Sequence, residues 1–482
     1  MDEEFFPWQN RKDSPLNEGL GGEEDRKEEM GQELSVAGHG CSSERVSSWG
    51  SLPDVCLRHV YRFLTDRDRR NADLVCHHWH NVMRSPSLWR FRFFHFNGRL
   101  SKYRQSESSS AVDYVRSLGV YLEQLEVCVC PPRRSLVARR LEQTIRGLFS
   151  ELTRVNAPLK SLYLMRLGLD QPSWTLELRN SLVECLILFL RRGASRLTFV
   201  CLSGMRISMN QGLEVLSVLA QSQRGSFPRC SSLDLKGFFS RELQVHHNSE
   251  VPRILRYLQG LTDLSLSYSC LSDELLIALQ HRKRGWRDVT YLQTFSLHCT
   301  LNEPHEQVVC GCSWATLASS CPGLKVKLTV DQIIDTNKLA GILLPEIPLT
   351  EYSMTAFYSP DQNWSTLPLL CCMLPRYRHS LQNLCLDLSN CNESLDEELL
   401  ELVKVCEHLE QLRIWAFLEI STVQRLLHFR LTKKSSLNQI RVRVYSINEE
   451  TKEQEDQLKE LLSSYLHLPP ELDFFAKVYP FV

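Results

Sequence analysis

The sequence predicts an α/β solenoid, preceded by a short three-helix region and an acidic, disordered N-terminal tail. Two patterns predict it. An apolar-x-x-apolar-x-apolar motif recurs from about residue 120 onward, and helix-like stretches fill the intervals. The composition permits a large core: 43% of the 482 residues are hydrophobic and 23% charged, with a formal net charge of −1. That balance is ordinary for a folded chain and excludes a bulk polycation built for nucleic acid.

Residues 1–48 are read as a solvated tail. Between Asp2 and Glu33 eleven acids face four bases, a net of −7, and glycines are scattered without apolar periodicity. Such a segment buries too little surface to offset its ordering entropy. The rest of the chain therefore sums to about +6.

Residues 49–95 read as three short helices. Pro53 stands near a helix start, where its missing N–H costs nothing. Leu57, Val60, Tyr61 and Leu64 follow at i, i+3, i+4 and i+7, one helical face. Ala72, Val75, Cys76, Trp79 and Met83 read as a second face, broken at Ser85–Ser87, after which come Leu88 and Trp89. A unit of this size carries surplus apolar surface and is expected to bury it on a partner. Residues 96–120 read as a linker helix region.

From residue 121 to 482 the repeats take over. Their clear copies begin at Leu122, Leu159, Leu197, Cys230, Leu261, Leu292, Leu381, Leu409 and Leu437, with a compressed one at Leu324 and a weaker one at Leu349, in steps of 25–38 residues. One short strand per copy places its apolar residues inward and the residues between them outward. Ser272-Asp273-Glu274 opens one intervening helix with a cap-like pattern. A strand-plus-helix unit repeated about eleven times is the signature of a leucine-rich-repeat solenoid, an irregular horseshoe. The 18 cysteines fit as small hydrophobes: Cys321 and Cys406 each lie three residues before a repeat's first leucine, and free thiols are expected throughout.

Residues 51–90 resemble an F-box. The resemblance is carried by Leu52-Pro53, Val60, Leu64, Val75-Cys76-x-x-Trp79 and Leu88-Trp89; Arg67 departs from the pattern, which more often has Leu there. The repeat half is similar to the leucine-rich repeats attached to many F-boxes. In that family the F-box docks on a Skp-type adaptor carried by a cullin-RING scaffold. The resemblance implies a non-catalytic substrate receptor of a ubiquitin-protein ligase, with Leu52, Pro53, Val60, Leu64, Val75, Cys76, Trp79, Leu88 and Trp89 as adaptor-facing or F-box-core positions. The residues leave an alternative open: a non-catalytic repeat scaffold or inhibitor with a vestigial F-box.

For the unknown protein substrate the late strands offer a patch. Leu412, Ile414, Ile440, Val442 and Val444 alternate with Arg413, Trp415, Arg441, Arg443 and Tyr445. If the first set is core, the second projects together on the concave face. Arg, Trp and Tyr are enriched in interface hot spots, and an acidic or phosphorylated segment is the expected partner. The bland reading is a C-terminal cap formed by Phe474, Phe475 and Tyr479 that covers part of this patch.

Other chemistry is weak. Gly311–Ala315 lacks the second glycine of a nucleophile elbow. His77, His78 and His80 lack companion metal ligands, and Cys128/Cys130, Cys310/Cys312 and Cys371/Cys372 lack zinc spacing. No catalytic group, cofactor or metal is expected. The basic runs Arg133-Arg134, Arg139-Arg140 and His281–Arg284 read as solvated faces, and no nucleic-acid role is expected. No apolar run reaches the ~18 residues that span a bilayer. With no visible secretory signal, a cytoplasmic or nuclear protein is expected. Asn363 and Asn392 match the glycosylation pattern, which carries little weight in such a compartment.

Overall fold

A computed structural model describes residues 49–64, 66–97, 105–222, 230–258, 260–280, 291–333, 335–356, 365–390, 393–432, 436–446, 451–465 and 468–480. The acidic tail, the basic run His281–Arg284 and both glycosylation asparagines lie outside the described residues.

The first unit holds α1 (Asp54–Phe63), α2 (Asp66–Asp73) and α3 (His77–Met83). Leu57, Tyr61, Ala72, Val82, Met83 and Leu88 form its own small core, with Leu52, Leu64, Trp79 and Trp89 packed against it. The face read across 72–83 is not one helix. Leu74 and Val75 sit in a turn, their N–H groups donating to Asn71 O and Ala72 O at 3.2 Å, and Cys76 is extended. Val75 is thereby turned outward, 61% exposed, whereas Ala72 and Met83 stay buried.

Among the described residues thirteen parallel strands follow, and their order in the sheet is their order in the chain. They are β1 (Phe91–Asn97), β2 (Gln124–Cys130), β3 (Ser161–Met165), β4 (Phe199–Cys201), β5 (Ser232–Leu235), β6 (Asp263–Ser267), β7 (Thr294–Thr300), β8 (Lys325–Asp331), β9 (Leu349–Ala356), β10 (Asn383–Leu388), β11 (Gln411–Ala416), β12 (Gln439–Ser446) and β13 (Asp473–Pro480). Each of the eleven repeat motifs coincides with one of the strands β2–β12. Parallel neighbours need a crossover, and here helices supply most of them. These include α4 (Gln105–Leu118), α5 (Ser135–Arg154), α6 (Leu176–Gly193) and α7 (Met209–Ser222), which pack one on the next along one side of the sheet. Among the described residues no helix packs along the opposite face of the sheet.

The alternation is plain in β12. Ile440, Val442 and Val444 are fully buried, while Gln439, Arg441, Arg443 and Tyr445 are half-exposed. Some of the helices start where a side chain accepts an orphan N–H group. Thr175 accepts from Leu178 N at 3.4 Å, and Ser272 accepts from Leu275 N at 3.1 Å. Asp335 accepts from Asn337 N and Lys338 N at 2.8 and 3.2 Å. Cys230, Cys321 and Cys406 are buried at the corners before their strands, and all sixteen described cysteines are free.

Two strands stood outside the expected repeats. The segment read as a linker from residue 96 begins inside β1, and Ala111 and Val115 of α4 lie in the solenoid core. The period-2 pattern of β1 was hidden because its aromatic residues fall on both faces. Phe91 and Phe93 are on the open side, Phe94 and Phe96 on the core side. Arg92, among the core-side positions, lies 4.4 Å from the Tyr114 ring centroid. The C-terminal segment is likewise a strand: β13 pairs in register along β12 and widens the sheet rather than folding over it.

Between repeats, loops are tied by buried polar groups. Asn390 donates to Glu393 O at 3.0 Å and Phe417 O at 2.9 Å, and accepts from Phe417 N at 2.8 Å. Asn390→Ala would strand three backbone groups. It is expected to cost about 2–3 kcal/mol in urea denaturation, at roughly 1 kcal/mol per lost bond.

Candidate interaction surfaces

The small helical unit is joined to the sheet through Trp89 and Arg90. Trp89 Nε1 donates to Met83 O at 2.8 Å, and its ring stands edge-on to Tyr114 of α4, centroids 6.2 Å apart. Arg90 O accepts the N–H groups of Glu123 and Gln124, both at 2.8 Å. Trp89 thus sits at the junction between unit and solenoid.

The nine adaptor-region residues divide by burial. Leu88 is core, 5% exposed, so its side chain is not free to meet a partner. Leu52, Leu64, Trp79 and Trp89 are half-buried against that core. Trp79 Nε1 reaches Trp49 O at 3.3 Å, and its ring is edge-on to Tyr61 at 5.8 Å. Burial pushes the Tyr61 phenol up to about 12. Cys76 is half-buried before α3, while Pro53, Val60 and Val75 are exposed. The expected α1 face is therefore narrower: Leu57 and Tyr61 are buried, whereas Val60 is 41% exposed. Sequence reasoning missed Val55, Phe63 and Leu74, which are 68%, 77% and 83% exposed. The available signal was that Val55 and Phe63 fall outside the helix's own apolar face. Cys56, Val60 and Phe63 instead make an exposed stripe at i, i+4 and i+7.

The structure brings the second predicted set together. Arg413 lies in register with Arg441, and Trp415 with Arg443. The Arg443 guanidinium is stacked between two rings, 4.3 Å from the Trp415 centroid and 5.1 Å from that of Tyr479. Arg413 donates to Gln439 Oε1 at 3.0 and 2.8 Å, and Arg441 pairs with Asp473 at 2.7 Å. Lys477 adds a fourth cation, 4.8 Å from the Tyr479 ring. Asp473 and Tyr479 arrive on β13, so the C-terminal strand extends this surface and also covers part of it, with Tyr479 against Arg443 and Asp473 on Arg441.

Tyr445 closes the patch by donating to Asp387 Oδ1 at 3.0 Å. Burial pushes the Asp387 carboxyl up to about 6, against the opposing pull of the Tyr445 hydroxyl and Arg443. The folded protein therefore binds a proton there more readily than the unfolded chain does. Stability from this group is full below about pH 4 and is lost as pH rises through about 6. Urea denaturation of wild type and Asp387→Asn at pH 4.5 and 7 checks the sign. The variant is expected to gain on the wild type at the higher pH.

No group of three or more His, Cys, Asp or Glu positioned for a metal ion occurs among the described residues. His80 instead pairs with Asp73 at 3.0 Å, and His78 reaches Leu52 O at 3.0 Å. No described helix is long and apolar enough to cross a membrane.

Comparison with known proteins agrees with this architecture. Residues 49–95 match the F-box-like family model. F-box/LRR-repeat protein 21 of Bos taurus is 24% identical over 281 residues, 58% of this chain and 58% of that protein. The mouse protein of that name is 24% identical over 253 residues, 50% and 52% of the two chains. The chain thus spans little more than half the length of the curated relatives it matches. A solved structure described as "Crystal structure of Rad7 and Elc1 complex in yeast" covers 88% of this chain and 92% of its own. At 13% identity and a TM-score of 0.38, that likeness is too loose to carry an argument. Residues 49–95 are an F-box-like region, and a parallel strand–helix solenoid similar to F-box/leucine-rich-repeat proteins follows it.

Proposed function

We propose that this protein is the substrate-recognition subunit of a Skp–cullin–F-box ubiquitin-protein ligase. The observation that carries the reading is the exposed apolar set Val55, Val60, Phe63, Leu74 and Val75 on a region that matches the F-box-like family. A small domain does not leave that much apolar surface in water without a partner. Leu52, Pro53, Val60, Leu64, Val75, Cys76, Trp79, Leu88 and Trp89 frame the adaptor side, the exposed members by contact and the buried ones by support. The Skp-type adaptor links the chain to a cullin-RING scaffold. The solenoid holds the substrate through Arg413, Trp415, Arg441, Arg443 and Tyr445, which suit an acidic segment.

The chain itself needs no catalytic group or cofactor. It acts by raising the local concentration of a substrate lysine near a charged ubiquitin. Its proposed compartment is the cytoplasm or nucleus. Within the class, the stretches Tyr121–Glu126, Leu271–Leu276, Ile342–Pro348, Ser394–Leu399, Ile414–Leu418 and Val478–Pro480 resemble F-box only protein 39, and that narrower likeness is part of the proposal.

Partners captured by the wild type and by a Leu74→Asp, Val75→Asp variant test the reading. Adaptor and scaffold are expected to vanish from the variant while substrate candidates remain. A wild type that captures no adaptor would leave a non-catalytic repeat scaffold. Charge reversal of Arg441 and Arg443 is expected to do the opposite, removing substrates and sparing the adaptor.

A further inference from the structure

The open face has a second aromatic surface, at the other end of the sheet. Its rows follow from strand register. Phe91, Gln124, Ser161 and Phe199 lie side by side across β1–β4, and Phe93, Glu126, Tyr163 and Cys201 form the next row. Neighbouring strands are about 4.8 Å apart, so Glu126 stands one strand from an aromatic ring on each side. Phe91 and Phe93 are 45% and 41% exposed. Tyr163 and Phe199 are stacked with centroids 4.5 Å apart, and Phe93 is stacked on His95 at 6.1 Å. Core packing does not explain these rings, because the core lies on the other face.

The carboxylates on β2 and just before it are in different states. Glu123 is held by two cations, Lys160 at 2.9 Å and Arg90 at 3.2 Å. Glu126 takes a hydrogen bond from Gln124 Nε2 at 2.8 Å, a neutral donor, and among the described residues no ion pair involves it. Its charge is felt by its neighbour: burial raises the Tyr163 phenol, and the Glu126 carboxylate raises it further. A half-buried carboxylate between the exposed Phe93 ring and the half-buried Tyr163 ring lacks one thing, a cation whose stem lies on the rings. Lysine and arginine have that shape, an apolar stem with a charged head.

We infer that the open face of β1–β4 is a docking site for a partner segment that presents a lysine or arginine between apolar residues. Glu126 receives the charge, and Phe93, Tyr163 and Phe199 receive the stem and its flanks. The polarity is opposite to that of β10–β13, where four cations face two carboxylates. An extended segment lying across the whole sheet would therefore bind in one direction only, basic end toward the helical unit. The inference deepens the reading of the solenoid as the substrate-binding half. It rests on that reading only for who the partner is.

The test is selection of a random 12-residue phage-displayed peptide library on the full chain. Enriched peptides are expected to carry Arg or Lys with an aromatic or aliphatic residue beside it. Glu126→Gln is expected to weaken them about tenfold, the scale of one lost charge-assisted bond, and Glu126→Asp to restore part of the loss. Phe93→Ala, at an exposed position, is expected to weaken them without changing the thermal melt. Charge reversal of Arg441 and Arg443 is expected to leave these peptides bound. No enrichment, enrichment without basic residues, or binding unchanged in Glu126→Gln overturns the site. Adaptor capture is read separately, so loss of the ligase role and loss of this site give different results.

Discussion

Replacing Leu74 and Val75 together by alanine is expected to weaken adaptor capture by a hundredfold or more without unfolding the chain. Both side chains stand in the α2–α3 turn, 83% and 61% exposed, so the folded monomer gains little from them. A fully buried Leu or Val contributes about 1.5–3 kcal/mol relative to exposure. Truncating two that become buried on association removes roughly 3–5 kcal/mol, and each 1.4 kcal/mol is tenfold in Kd. The measurement is a titration of purified adaptor into each chain. The contrasting substitution is Leu88→Ala. Leu88 is buried in the six-residue core of the same unit, so its loss is expected to destabilise the unit by about 2–5 kcal/mol before any partner is met. If Leu74 and Val75 can both be truncated with capture intact, the exposed turn is not the adaptor surface.

Removing the Glu303 carboxylate is expected to cost the solenoid about 3–5 kcal/mol. Glu303 follows β7 and is 3% exposed as a side chain, and Arg206, which follows β4, is 14% exposed. They meet at 3.0 Å, and the hydroxyls of Ser267 and Ser269 donate to the same carboxylate at 3.4 and 3.3 Å. Gly237, at φ +60, leaves room for the guanidinium: a Cβ there would stand 3.2 Å from Arg206 Cζ. A buried pair is a poor source of net stability, but taking away one partner leaves the other charge in low dielectric. Glu303→Ala is therefore expected to be worse than Arg206→Met with Glu303→Leu, in which neither charge remains. Urea denaturation of the three chains decides it. Equal losses in the single and double variants would show that the charges are not coupled.

The eleven middle strands were legible because nearly all show the same apolar spacing (the copy at Leu324 is compressed, and there the β8–β9 register shifts), which in a parallel sheet fixes the face. Arg413, Trp415, Arg441, Arg443 and Tyr445 could be placed together for that reason alone. Their partners could not. Asp473 and Tyr479 come from β13, whose Asp473-Phe-Phe-Ala-Lys-Val-Tyr-Pro480 has no leucine, and β1 was lost to the same cause. In the helical unit, periodicity merged two helices across the turn at Leu74 and Val75 and so assigned an exposed residue to a buried face. The Arg206–Glu303 pair was invisible because its members are 97 residues apart and neither belongs to a repeat motif. The aromatic rows of β1–β4 needed the register of β1, which only the structure supplies.

That 97-residue separation has a consequence in time. Every strand in the sheet pairs with its neighbour in the chain, so the solenoid can assemble in the order of synthesis. At about 5–20 residues per second, Glu303 emerges roughly 5–20 s after Arg206. Through that interval the turns after β4 and β5 hold a cation whose counter-charge does not yet exist. The early repeats are complete as a sheet before they are complete as a core.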